Sequence, residues 1–271
     1  MSGLYRRPFL KWAGGKYRLL DTLTTHIPKR SCLVEPFVGA GAVFLNVPAK
    51  RFILNDINPD LIDLYQRLQT EPSAVIEAAA TLFKPKFNTP AQYYKFRAQF
   101  NSAGTSLKRC ALFLYLNRHG YNGLCRYNLK GQFNVPFGNY LKPYFPLAEM
   151  QAFSLHTQKA QFTCQPFEES IKKAPRNAVI YCDPPYAPLS KTANFTGYAA
   201  CKFSLEAQAK LAKAAVKATQ KGCLVLISNH DTPFTRELYK EATCHQLEVQ
   251  RVISCKGMKR QKVKELIAVY G

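Results

Sequence analysis

Acidic residues are scarce in this 271-residue chain: Asp and Glu number 17 against 38 Lys and Arg, for a formal net charge of +21. A surplus of that size excludes an acidic, solvating tail and points to an anionic partner. Charge of either sign is also modest, at 20%, whereas apolar residues reach 47%, enough to bury a core and to exclude disorder throughout. Long apolar runs are absent: nothing approaches the ~18 residues that a membrane span needs. The first twenty residues carry Arg6, Arg7, Lys11, Lys16 and Arg18 and lack the apolar centre of a secretory signal. A cytoplasmic protein with no membrane partner is therefore expected. The nine cysteines contain no C-x-x-C pair and do not cluster with the five histidines, so neither a disulfide framework nor a metal site is expected. Internal repeats and low-complexity tracts are missing too.

The shortage of acid is local. From Ala78 to Ala148 there is none, yet the stretch carries ten cations: Lys84, Lys86, Lys95, Arg97, Lys108, Arg109, Arg118, Arg126, Lys130 and Lys142. Tyr, Phe and Asn are interleaved with them. A face built only for solubility mixes signs. Cations for phosphates with planar groups for bases suit nucleic acid. A second block, Arg251 to Lys264, has six cations and no acid, and suits either a solvated loop or a phosphate contact.

The length fits one large or two modest domains. A helix is predicted from Lys16 to His26. Strands at Cys32–Val34 and Arg51–Leu54 flank a glycine-bearing turn and a helical run from Ala42 to Asn46, which is a βαβ pattern. Four segments of helical spacing follow with no strand between them: Leu61–Leu68, Ser73–Phe83, Ala91–Asn101 and Leu107–Leu116. A hairpin is predicted over Tyr127–Phe137 with Lys130-Gly131 at its turn. The α/β rhythm then returns. Strands are expected at Gln161–Cys164, Ala178–Cys182 and Cys223–Ile227, and a helix at Leu205–Thr219 capped by Ser204. A short helix at Thr235–Lys240 precedes a closing pair of strands at His245–Ile253 and Glu265–Tyr270. The expected fold is α/β, a sheet with helices on both faces formed by residues 1–58 and 146–271. Residues 59–145 form an inserted helical subdomain with a β-hairpin.

Two motifs carry chemistry. Phe37-x-Gly39-x-Gly41 follows a strand, and its glycines let backbone approach a ligand closely. Asp56, 15 residues past Gly41, ends the next strand, where an acid can accept from ribose hydroxyls. The same residues would also serve a tight turn and a helix cap. The second motif is Tyr181-Cys182-Asp183-Pro184-Pro185-Tyr186, which follows an apolar strand and is placed at the carboxyl edge of the sheet. Its prolines fix the backbone, Asp183 offers a carboxylate, and Tyr186 offers a stacking face. Together they suit a ring bearing an exocyclic amino group. A Pro-Pro loop with a packing Tyr is the plainer alternative.

Asp183-Pro184-Pro185-Tyr186 with the upstream glycine turn is the pattern of amino-methyltransferases that use S-adenosylmethionine. Phe9-Leu10-Lys11-Trp12-Ala13-Gly14-Gly15-Lys16 resembles the N-terminal motif of their α class. Glu35–Gly41, Asn55-Asp56-Ile57-Asn58, Arg118–Asn128 and Ser228-Asn229-His230-Asp231 resemble the Dam family of DNA adenine-N6 methyltransferases, and the likeness spans nearly the whole chain.

That resemblance implies a Rossmann-like S-adenosylmethionine-dependent methyltransferase sheet, with 59–145 as the target-recognition subdomain. It implies a monomer, associated with the nucleoid, that methylates adenine in duplex GATC by base flipping. S-adenosyl-L-methionine would be held by Trp12, Lys16, Phe37, Gly39, Gly41, Asp56 and Asp183. Asp183, Pro184 and Tyr186 would be catalytic. Lys11, Tyr121, Asn122, Leu124, Arg126, Pro136 and Tyr140 would read bases, and Arg97, Asn128 and Asn134 would hold phosphates. One position departs: where that family often has Arg, this chain has Asn139. The residue types agree with these roles, since Arg can pair bidentately with a guanine edge and Leu124 and Pro136 can meet a thymine methyl. An RNA base methyltransferase, and a DNA-binding regulator of the same fold without turnover, are the alternatives.

Overall fold

The computed structural model describes residues 5–188, 203–250 and 262–271. Residues 251–261 of the basic block Arg251 to Lys264, with the last residues of one expected strand, lie outside them. The strands are β1 (Cys32–Glu35), β2 (Arg51–Asn55), β3 (Ala160–Thr163), β4 (Val179–Cys182), β5 (Leu224–His230), β6 (Thr243–Gln250) and β7 (Lys262–Tyr270). The helices are α1 (Leu20–His26), α2 (Pro59–Thr70), α3 (Pro72–Ala80), α4 (Pro90–Ser102), α5 (Leu107–His119), α6 (Leu147–His156), α7 (Phe167–Lys172), α8 (Leu205–Thr219) and α9 (Pro233–Leu238).

Seven strands form one mixed sheet in the order β3-β2-β1-β4-β5-β7-β6. β2, β1, β4 and β5 run parallel, and β7 lies antiparallel between β5 and β6. Every residue of β1 and β4 is buried, as a parallel strand covered on both faces requires. The chain divides into two compact units. The first comprises Met1–Thr25, Val38–Pro48 and Asn58–Cys164. The second comprises His26–Phe37, Ala49–Ile57 and Gln165–Gly271.

In the second unit, Val34, Ile180, Ile227 and Leu266 from the strands pack with Ile171 of α7 and Leu211 and Ala215 of α8. Ser204 caps α8 by accepting from the Ala207 N–H, as its sequence position predicts. In the first unit, α5 is the central helix, buried continuously from Cys110 to Asn117. Tyr93 and Phe96 of α4 pack on Tyr115, and a second aromatic group joins Phe9, Tyr65, Phe153 and Phe162.

Two elements differ from expectation. Ala42–Asn46 is a run of turns rather than a helix, held by Leu45 N–H to Gly41 O and Val47 N–H to Val43 O. Pro48 disfavours a helical Val47, and the turn stops there. The hairpin is present as two isolated antiparallel bridges, Tyr127–Phe133 and Gly120–Phe137, with no strand ladder. Side chains of α4 occupy its backbone groups instead. Asn101 bonds both the N–H and the C=O of Phe133, while Tyr93 and Arg97 donate to the Val135 carbonyl. Helices α6 and α7 are additions to the expected elements, since their sequences are short and weakly patterned.

Candidate functional site

The glycine turn after β1 belongs, from Val38 onward, to the first unit. Gly39 and Gly41 both have positive φ, +47° and +73°. A Cβ on Gly39 would lie 2.9 Å from Trp12 Nε1, so the indole covers a backbone that tolerates no side chain. Tyr65 donates to the Gly39 carbonyl at 2.6 Å and fixes the turn from α2. Two of the expected cofactor residues, Trp12 and Gly39, are thus in contact. Lys16 is buried, and its Nζ donates to the Gly14 carbonyl at 2.7 Å. Glycine lets this turn pack directly on the indole, and a backbone turn beside an aromatic plate suits a nucleoside cofactor.

In the second unit, Phe37 packs its ring on Phe167 and Phe203. Asp56 directly follows β2, whose last side chain, Asn55, donates to the carbonyls of Pro36 and Gln165 and accepts from the Gln165 N–H. Those bonds tie the end of β2 to the end of β1.

Asp183–Tyr186 follows β4, also in the second unit. Tyr186 donates to Glu265 Oε2 at 2.8 Å, and its ring meets His230 edge-on with centroids 4.8 Å apart. Burial, followed by the charges of Asp183 and Glu265, pushes the Tyr186 phenol well above its ordinary pKa, so it remains a donor. The Pro185 carbonyl accepts from Gln208 Nε2 at 2.8 Å. Ala187 donates its N–H to Asn229 Oδ1 at 3.0 Å, and its carbonyl meets His230 Nδ1 at 2.7 Å. Tyr181, just upstream, shares a hydrogen bond with Ser228 at 2.9 Å. A short loop is therefore held from α8, β5 and β7, which presents a carboxylate and an aromatic face on fixed backbone. Sequence reading singles out the loop but not Gln208 or Glu265. A polar residue on the buried side of α8 is the available signal for Gln208.

The expected base readers lie in the first unit, and several of them meet. Lys11 Nζ sits 3.7 Å from the Tyr140 ring centroid and 3.4 Å from the Arg118 carbonyl. Its backbone exchanges two hydrogen bonds with the Asn117 side chain. Tyr140 accepts the Asn122 N–H at 2.9 Å. Gly123, at φ +62°, packs on the Lys11 side chain with no room for a Cβ. Burial, and then the charge of Arg118, pulls the Lys11 pKa down to about 8. Arg126 is exposed and braced by Asn134, with Nε 2.8 Å from Oδ1 and Nη2 3.2 Å from the backbone carbonyl. Tyr121 is 46% exposed, and its N–H donates to the Pro136 carbonyl. Leu124 follows on the same turn.

The expected phosphate holders are less alike. Arg97 gives Nη1 to Val135 and lies over the Tyr94 ring, so part of its guanidinium has a structural task. Asn128 accepts from the N–H groups of Lys130 and Gln132, shaping the tip of the arm. Asn139 is exposed and has positive φ, +51°.

Among the described residues, no three His, Cys, Asp or Glu side chains group as a metal site, and no helix is long and apolar enough to cross a membrane. A family model for D12 class N6 adenine-specific DNA methyltransferases matches residues 12–253. The chain is 54% identical over 264 residues to DNA adenine methylase of Escherichia coli strain K12, covering 97% of this chain and 95% of that one. It is 53% identical over the same length to DNA adenine methylase of Salmonella typhimurium strain LT2, with the same coverage. It is 52% identical over 266 residues to that of Vibrio cholerae El Tor Inaba N16961, covering 98% and 96%.

Proposed function

The chain belongs to the D12 class of N6 adenine-specific DNA methyltransferases, and from that premise we propose that its substrate is adenine within duplex GATC and its methyl donor S-adenosyl-L-methionine. The observation that carries the reading is the Asp183–Tyr186 loop, whose backbone and stacking ring are fixed from three elements. The residues proposed for the cofactor are Trp12, Lys16, Phe37, Gly39, Gly41, Asp56 and Asp183. When bound, it supplies an electrophilic methyl group on a sulfonium.

Residues 59–145 read the DNA. Arg126, braced by Asn134, addresses a guanine edge, and Leu124 and Pro136 address a thymine methyl. Lys11, Asn122 and Tyr140 act as one cluster, and Tyr121 offers a ring to stack on or wedge between bases neighbouring the extruded one. Arg97, Asn128 and Asn134 hold phosphates. Flipping the adenine costs a few kcal/mol of stacking and pairing, which Tyr186 offsets by stacking on the displaced ring. The Asp183 carboxylate and the Pro184 carbonyl accept the two amino hydrogens, while the Pro185 carbonyl is committed to Gln208. Accepting both hydrogens directs the nitrogen lone pair away from the ring plane and raises its nucleophilicity. The rate gain comes from orientation and fixed dipoles. The enzyme acts as a monomer in the cytoplasm, at the nucleoid.

Asp183→Ala is the test. Methyl transfer to a GATC duplex should fall below detection while the thermal midpoint and circular dichroism stay near wild type. A folded variant with wild-type turnover would remove Asp183 from the chemistry.

A further inference from the structure

We infer that Gln208 and Asn229 are positioning residues that set the geometry of the Asp183–Tyr186 loop, an inference that rests on the proposed methyl transfer. Both side chains are buried, 1% and 0% exposed. An amide in such a place is costly unless its donors and acceptors are met. Here they form one chain. Asn229 Oδ1 accepts from the N–H groups of His230 at 2.9 Å and Ala187 at 3.0 Å. Two donors facing that oxygen fix which end of the amide is nitrogen. Nδ2 is thereby aimed at Gln208 Oε1, 3.1 Å away, and at the Tyr239 hydroxyl, 2.9 Å away. Tyr239 donates in turn to Gln208 Oε1 at 3.3 Å. With its oxygen facing those donors, Gln208 must present Nε2 in the other direction, where the Pro185 carbonyl lies at 2.8 Å.

The chain of bonds ends on the two peptides that flank Tyr186: the Pro185 carbonyl on one side and the Ala187 N–H on the other. Proline rings fix φ at residues 184 and 185 but leave ψ open. Gln208 supplies the missing constraint, because the direction of the Pro185 carbonyl is its ψ. Asn229 closes the far side. Tyr186 is therefore held in orientation by two side chains that need not touch substrate.

The test compares full-length wild type, Gln208→Met and Gln208→Glu in single-turnover methylation of a GATC duplex with S-adenosylmethionine. Met keeps the length and removes the donor. Its methyl-transfer rate should fall on the order of 10²-fold, as for ångström-scale misplacement of reacting groups. Affinities for duplex and for S-adenosylmethionine should stay within about twofold, which separates positioning from binding. Gln208→Glu adds a readout that a purely structural role would not move. A protonated carboxyl can donate to the Pro185 carbonyl and an ionised one repels it, so the rate should fall with rising pH through an inflection absent from wild type and from Gln208→Met. A folded Gln208→Met at the wild-type rate overturns the inference, as does a Gln208→Glu profile that parallels wild type. Should Gln208→Met fail to fold, the pH profile decides alone. Wild type that leaves the GATC duplex unmethylated defeats the functional reading instead, and the two failures are distinct.

Discussion

Lys11 carries a pH dependence that belongs to one side chain. Its cation is partly desolvated, lies over Tyr140 and stands near Arg118, and its pKa is drawn down to about 8. The charged form is complete below that value and is lost as pH rises through it. An amine that contacts DNA as a cation therefore weakens with rising pH. Duplex affinity should fall between about pH 7 and pH 9, and Lys11→Gln should flatten that slope. The check is fluorescence anisotropy on labelled duplex across the range. An equal slope in the variant would assign the effect to another group. His119, close by, does not compete in this window, since burial lowers its pKa to about 4. At this scale the sequence is most legible: Asp183, Tyr186, Gly39 and Lys11 stand in distinctive local patterns. Gln208 and Glu265 do not, because their importance comes from partners 23 and 79 residues away in the chain.

The turn after β1 makes its claim as an element. Gly39 combines a left-handed backbone with an indole lying where a Cβ would go. Gly39→Ala should cost about 1–3 kcal/mol of backbone strain, more once the indole is displaced. The expected outcome is a lower thermal midpoint together with weakened binding of S-adenosylhomocysteine, read by calorimetric titration. A variant with both unchanged would mean that the turn is neither strained nor close to the ligand. The strands and helices of the α/β portion can be read from their apolar runs, because burial on both faces leaves a continuous signature in β1 and β4. The arm from Tyr127 to Phe137 can be read only as a turn between alternating residues. Its actual support comes from Asn101, Tyr93 and Arg97 on α4, and side-chain bonds of that kind leave no period in the sequence.

For the whole molecule the surplus of cations outweighs any single contact. A net charge of +21, with an acid-free stretch from 78 to 148, makes counterion release a large share of DNA binding. Raising monovalent salt from about 50 to 200 mM should weaken duplex binding on the order of 10³-fold, if six or more phosphates are contacted. Binding isotherms at four or five salt concentrations give the slope directly. A flat response would contradict a polyanion surface. Composition alone announces this property, since charge sums over the chain whatever the fold does.

Methyl transfer to adenine in GATC is checked by incubating the protein with radiolabelled S-adenosylmethionine and two duplexes that differ only in GATC against GTAC. Label confined to the GATC duplex, recovered as N6-methyladenine, is the expected result. Label on neither duplex, with the cofactor shown to bind, would exclude that activity and move the substrate to RNA or the protein to a regulator without turnover.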